Sequence, residues 1–133
     1  TAHTLSLHDA LPIFIDFYDS SFVLVMPSKK TDGSDMPFPK RIFGKIPWSE
    51  QFGRVIIESY SRGTPVLAYD SGAIKEYIYN PDHLVQENDI DELEKKILAM
   101  SKQDINSSKL IEYSKKFKWS KVCKRFLEIR SSL

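Results

Sequence analysis

Cysteine is almost absent. The chain holds one, Cys123. No disulfide can therefore close within it, and no metal site can be built from cysteines. A disulfide-stapled fold is excluded, and a reducing compartment such as the cytoplasm fits best. Long apolar runs are missing too. The most apolar stretch, Phe14 to Met26, is broken by Asp16, Asp19 and Ser20–Ser21. A membrane-spanning helix needs about 18 apolar residues in succession. An excess of either charge is also lacking, because 19 Lys and Arg face 18 Asp and Glu. A nucleic-acid partner would show as a strong basic excess. No internal repeat or low-complexity segment occurs. What is present suits one soluble globular domain, with 41% hydrophobic and 28% charged residues in a chain of 133.

The first residues read as foreign. Thr4 to Ile13 spell TLSLHDALPI, one reading frame of a widely used short-read sequencing adapter. Residues 1–13 are set aside from fold reasoning on that ground. Native sequence is expected to start near Phe14, with residues 14–133 a partial domain truncated at its N-terminal side. His3 and His8 fall in the excluded segment, which leaves His83 as the native histidine.

Beyond that point the apolar pattern alternates between two periods. Ser21 to Pro27 is a short apolar run ended by proline, read as a strand buried on both faces. Residues 28–49 are rich in Pro, Gly, Ser and Lys and read as a long loop. Val55, Ile56 and Tyr60 then recur at helical spacing after Phe52-Gly53, and Gly63 stops the helix. Thr64-Pro65 turns into a second buried strand, Val66 to Tyr69. A brief helix over Ala73 to Glu76 and a weaker strand over His83 to Val85 follow. Asp89 and Glu92 have the spacing of a capping box, ahead of an apolar face of Ile90, Leu93, Ile97 and Met100. Asn106 or Ser107 caps a further helix with Leu110, Ile111 and Phe117 inward. A last helix from Trp119 carries Val122, Cys123, Phe126 and Ile129. Strand, helix, strand with short connections implies an α/β fold with a parallel sheet flanked by helices.

Ligands of open parallel sheets bind beyond the carboxyl ends of the strands. The loop after Met26 leaves from such an end and reaches Glu50-Gln51-Phe52-Gly53 at a helix start. Unpaired N–H groups and the positive dipole end suit a phosphate there, and Gly53 permits close approach. Glu50 and Glu58 are separated by seven residues. Alone, a pair at this spacing is common by chance and reads as two solvated carboxylates. Asp32 and Asp35 have D-x-x-D spacing and read as turn residues rather than metal ligands. His83 reads as a strand-edge residue, and Cys123 as core filler.

The residues around the glutamates add a resemblance. Trp48-Ser49-Glu50-Gln51-Phe52-Gly53-Arg54, running on through Glu58 to Gly63-Thr64-Pro65-Val66, resembles the signature of retaining GT-B-fold glycosyltransferases of group 1. That family carries Glu-x7-Glu with Phe-Gly inside it, then a Gly-Thr-Pro-Val turn. Pro27-Ser28, Ser71-Gly72-Ala73-Ile74-Lys75-Glu76 and Phe117-Lys118-Trp119-Ser120 resemble further family segments in the same order. The resemblance runs from about Phe14 to the C-terminus. It implies a partial Rossmann-like sheet, an incomplete C-terminal domain of a GT-B fold.

Carried over by position, the resemblance implies a hexosyl transferase that moves a sugar from a nucleoside-diphosphate sugar with retained configuration. Glu50 is then the catalytic position, beside the donor sugar and bound to its hydroxyls. Glu50, Gln51, Phe52, Gly53 and Arg54 would contact sugar and diphosphate, mainly through backbone amides. Glu58 would accept hydrogen bonds from the ribose, a role that needs an ionised acceptor. No metal and no cofactor are expected beyond the donor itself, since preorganised N–H dipoles can stabilise the leaving diphosphate. The acceptor would be a sugar or lipid-linked sugar of cell-surface polysaccharide synthesis. The family's phosphate-gripping Arg and Lys come from earlier strands that this chain lacks, so the fragment alone is expected to be inactive. Trp48 and Pro37-Phe38-Pro39 in the long loop read as a cover for the cleft or as a surface insertion. From Lys102 to Arg130 only Asp104, Glu112 and Glu128 oppose the Lys and Arg. That stretch reads as a solvated face or as peripheral contact with anionic lipid, in a cytoplasmic protein with no nucleic-acid partner. A non-catalytic nucleotide-sugar-binding half-domain and a GT-B nucleotide-sugar epimerase are the alternatives. Epimerases of that kind lack this Glu-x7-Glu with Phe-Gly.

Overall fold

The computed structural model describes residues 7–30, 49–51 and 53–131, without the side chains of 7–13, 119, 122–123, 125–126 and 131. Asp32, Asp35, Pro37-Phe38-Pro39, Trp48 and Phe52 lie outside the described residues. So do the side chains of Val122, Cys123 and Phe126 in the last helix.

A three-stranded parallel sheet stands at the centre, in the order β1 (Leu24–Met26), β2 (Val66–Tyr69), β3 (Leu84–Val85). Leu24 pairs with Val66 and Met26 with Ala68 on one side; Ala68 pairs with Leu84 and Tyr69 with Val85 on the other. Among the described residues six helices accompany it: α1 (Leu7–Ser20), α2 (Arg54–Ser61), α3 (Ile74–Tyr77), α4 (Ile90–Met100), α5 (Ser107–Ser114) and α6 (Trp119–Ser131). The expected α/β architecture, a parallel sheet flanked by helices, is what forms.

The period-2 alternation of β2 divides the core into two. Val66 and Ala68 join Met26, Ile56, Tyr60, Ile74, Ile78 and Leu110 on one face. Leu67 and Tyr69 join Val85 and Met100 on the other, where Leu93 and Ile97 of α4 close over them. All four residues of β2 are buried, which accounts for its unbroken apolar sequence. β1 differs from expectation, because Leu24 and Val25 are only half-buried and Met26 alone is buried. Among the described residues it pairs with β2 on one side only, which makes it an edge strand.

The helices follow their side chains. In α2, Ile56 and Tyr60 are fully buried, and each contributes about 1.5–3 kcal/mol by leaving water. Val55, expected inward, faces solvent. At 100° per residue it lies beside Ile56 rather than beneath it. Ile90 is exposed too, at the first position of α4. Ile111 and Ile129 are exposed as well. The caps are as the sequence suggests. The Asp89 carboxylate accepts from Glu92 N–H at 2.9 Å, and the Asn106 side chain from Lys109 N–H at 3.2 Å. At the C-terminus of α2, Gly63 takes φ +83°, donates to Tyr60 O at 3.0 Å and lets Thr64 N–H reach Ser59 O at 3.0 Å. His83 lies in a 3-10 turn, Pro81–His83, rather than in β3. Phe117 likewise ends a 3-10 turn, Lys115–Phe117, after α5.

The helix α1 was not legible in the sequence. Its three polar interruptions break an apolar run but not a helix. Tyr18 is the buried residue of its described face, whereas Phe14 and Phe17 are exposed. Its C-terminal end is tied to α2. The Arg62 guanidinium donates to Asp19 from Nε at 2.8 Å and again from Nη2, and the Thr64 hydroxyl donates to Tyr18 O at 2.7 Å.

Candidate functional site

Parallel strands send their carboxyl ends to one side of the sheet. The segments that leave from that side are 27–30, 70–73 and 86–89. Residues 49–51 return to the same place. Glu50 is half-buried, and its carbonyl accepts from Ala73 N–H at 2.9 Å, just beyond the end of β2. Gly53 is buried. A Cβ there would stand 2.6 Å from Ile56 Cδ1 and 3.5 Å from Met26 Cε. Glycine therefore lets the start of α2 settle against the last residue of β1. The sheet thus gathers Glu50, Gly53 and the first turn of α2 at the carboxyl ends of β1 and β2.

The N-cap of α2 is Gly53, which has no side chain to cap that first turn. Gly53 O accepts from Ile56 N–H at 2.9 Å. The amides of Arg54 and Val55 fall in the turn where a helix has no partner to offer. No acidic residue sits in it to occupy the dipole. An anion could take that place. Gln51 is exposed beside it.

Glu58 lies on the same helix, one turn after Arg54. Its carboxylate is half-exposed. Oε1 stands 3.7 Å from the Arg54 guanidinium, and Oε2 accepts from the Tyr18 hydroxyl at 3.3 Å. The Arg54 pair is open to water and worth little to stability. The Tyr18 contact was not anticipated. Burial first, then the charge of Glu58 and the hydrogen bond to it, push the Tyr18 hydroxyl above its ordinary value. Tyr18 thus stays a neutral donor and fixes one oxygen of Glu58. No local pattern could have found it, since 40 positions separate the partners.

Two further residues mark the floor. Gly72 takes φ +57° beneath Glu50. Ser71 is fully buried, and its hydroxyl has no hydrogen-bond partner among the described residues. His83 stands apart, near Lys96 and Asp82. Burial lowers its pKa, Asp82 pulls it back, Lys96 lowers it further, and a hydrogen bond to the Val66 backbone raises it. Nothing brings it to Glu50. A groove of about 250 Å³ lined by Asp19, Arg62, Thr64, Gln103 and Ser107 opens beside Phe22 and Pro65. Phe22 and Pro65 precede β1 and β2, so the groove lies at the opposite end of the sheet from Glu50. Among the described residues, no three His, Cys, Asp or Glu stand close enough to hold a metal ion. Among the same residues, no helix is long and apolar enough to cross a membrane.

Comparison with protein families gives a match to the glycosyl transferases group 1 model over residues 11–117. The chain belongs to the group 1 glycosyl transferases. In this glycosyl transferase chain the match takes in the whole sheet, both glutamates and α1 to α5 except the first turn of α1. No match was found among curated proteins or among solved structures.

Proposed function

We propose that this chain is the donor-binding part of a retaining glycosyltransferase, which moves a sugar from a nucleoside-diphosphate sugar to a sugar or lipid-linked acceptor. The observation that supports this most is the gathering of Glu50 and the uncapped start of α2 at the carboxyl ends of β1 and β2, with Glu58 one turn along. The diphosphate would lie on the amides of Gly53, Arg54 and Val55, where the helix dipole favours negative charge. As the bond to the sugar breaks, charge develops on that diphosphate. Dipoles already aligned lower the barrier without reorganising. Glu50 would bind the sugar hydroxyls and lie against the developing oxocarbenium face. Glu58, held by Tyr18, would accept from the ribose hydroxyls. Phe52 and Gln51 complete the segment in the same reading, and no metal is needed by it.

Peripheral attachment to a cytoplasmic membrane face belongs to the same proposal. Lys109, Lys115, Lys116, Lys118, Lys121, Lys124 and Arg130 of the last helices are all exposed. Each contributes roughly 1 kcal/mol near an anionic surface.

The test is transfer and binding by the complete polypeptide that the gene encodes, with UDP-, GDP- and ADP-sugars as donors. Glu58→Ala should weaken the nucleoside diphosphate and its sugar alike, by roughly tenfold to a hundredfold for one charged hydrogen-bonding group. Glu50→Gln should abolish transfer and leave the bare nucleoside diphosphate bound. A Glu50→Gln protein with full transfer activity, or a Glu58→Ala protein with unchanged nucleotide affinity, defeats the assignment.

A further inference from the structure

Glu50 belongs to no helix or strand. Something outside its own segment must therefore define where its side chain starts. The Ser71–Ala73 turn meets it from below. Ala73 N–H donates to Glu50 O at 2.9 Å. Gly72 packs so closely that a Cβ on it would stand 2.3 Å from Glu50 O, 3.0 Å from Glu50 N and 3.2 Å from Glu50 C. These are backbone atoms and cannot swing aside as a side-chain tip would. The turn is itself anchored to the sheet. Asp70 N–H donates to Val85 O at 2.8 Å, Ser71 N–H to Tyr69 O at 2.8 Å, and Ile74 N–H to Ser71 O at 3.2 Å. The buried side chain of Ser71 sits at its base.

We propose that Gly72 and Ala73 are positioning residues for Glu50, so that the β2–α3 turn sets the height of the Glu50 carboxylate over the sheet. The inference rests on the function proposed above for Glu50 and adds the element that aims it. Reactivity depends steeply on such placement, because an error of about 1 Å far from the chemistry can cost on the order of a hundredfold. Glycine at position 72 then has two separate duties. One is the left-handed backbone, which asparagine also tolerates. The other is clearance beneath Glu50, which no residue with a Cβ supplies.

That division gives the experiment. Gly72→Asn keeps the turn conformation accessible and removes the clearance. In the complete polypeptide, Gly72→Asn should lower kcat for transfer by roughly tenfold to a hundredfold. Affinity for the bare nucleoside diphosphate should stay unchanged, since Glu58 and the start of α2 are untouched. Amide exchange at Ala73 should accelerate, and the carbonyl resonance of Glu50 should move, with the resonances of β2 and α2 in place. Equal losses of transfer and nucleotide affinity would mean that the turn only holds the domain together, and would overturn the proposal. Unchanged Ala73 exchange and an unchanged Glu50 resonance would overturn it as well. If the unmodified protein uses no nucleotide sugar, the functional reading fails, and the clamp is then decided by the exchange and resonance measurements alone.

Discussion

Replacing Tyr60 by phenylalanine tests how α2 is locked into the fold. Tyr60 is fully buried. Its hydroxyl accepts from Tyr79 N–H at 3.1 Å, and its ring meets Tyr113 edge-on at 5.9 Å between centroids. Tyr60→Phe keeps the ring but leaves the Tyr79 amide without its acceptor. Tyr79 is itself exposed, so water can reach the freed amide, and losing this part-buried hydrogen bond should cost about 0.5–1.5 kcal/mol. A second signature is specific to this hydroxyl. Burial, offset in part by the Tyr79 hydrogen bond, pushes its pKa from 10.0 up to about 12. The folded state therefore keeps a proton that the unfolded chain releases. Stability from this group is complete below pH 10.0 and is lost as pH rises through about 12. Each unit is worth about 1.4 kcal/mol, so the full loss is on the order of 3 kcal/mol. Urea unfolding at about pH 8 and about pH 11 should show the wild type losing about 1.4 kcal/mol more than Tyr60→Phe over that interval. Equal alkaline losses in the two proteins would refute the buried, proton-retaining hydroxyl.

Two other perturbations address the same frame. Gly63→Ala places a side chain at φ +83° with its Cβ 2.8 Å from Ser107 Cβ. It should cost about 1–3 kcal/mol in urea unfolding, and a neutral result would show that the α2 terminus adapts. His83 is held below its ordinary value of 6.5, chiefly by burial. Its contribution is complete above pH 6.5 and is lost as pH falls through that value toward the folded pKa. His83→Gln should flatten the acid limb of the stability curve, and an unchanged limb would assign acid sensitivity to other groups.

Local sequence determined much of this protein, for reasons that operate over a few residues. Val66 to Tyr69 are apolar without alternation, which only a strand covered on both faces tolerates. Asp89 and Asn106 cap because their side chains reach an amide three residues on. Gly63 ends α2 because the next step of the backbone is left-handed. The family signature from Glu50 to Val66 was equally legible, since its residues are contiguous. Other features are decided by contacts between distant segments, which no periodicity encodes. Among the described side chains, Tyr18 and Asp19 bind α1 to the fold, through Glu58, Arg62 and Thr64. Tyr18 reaches Glu58 only because the end of α1 is brought against α2. Val55 and Ile90 look inward by pattern and are exposed, because the rotation of a helix against a sheet is set by packing. The Gly72 turn reads as an ordinary helix start in the sequence. Its place under Glu50 exists only once the sheet has brought residues 50 and 72 together.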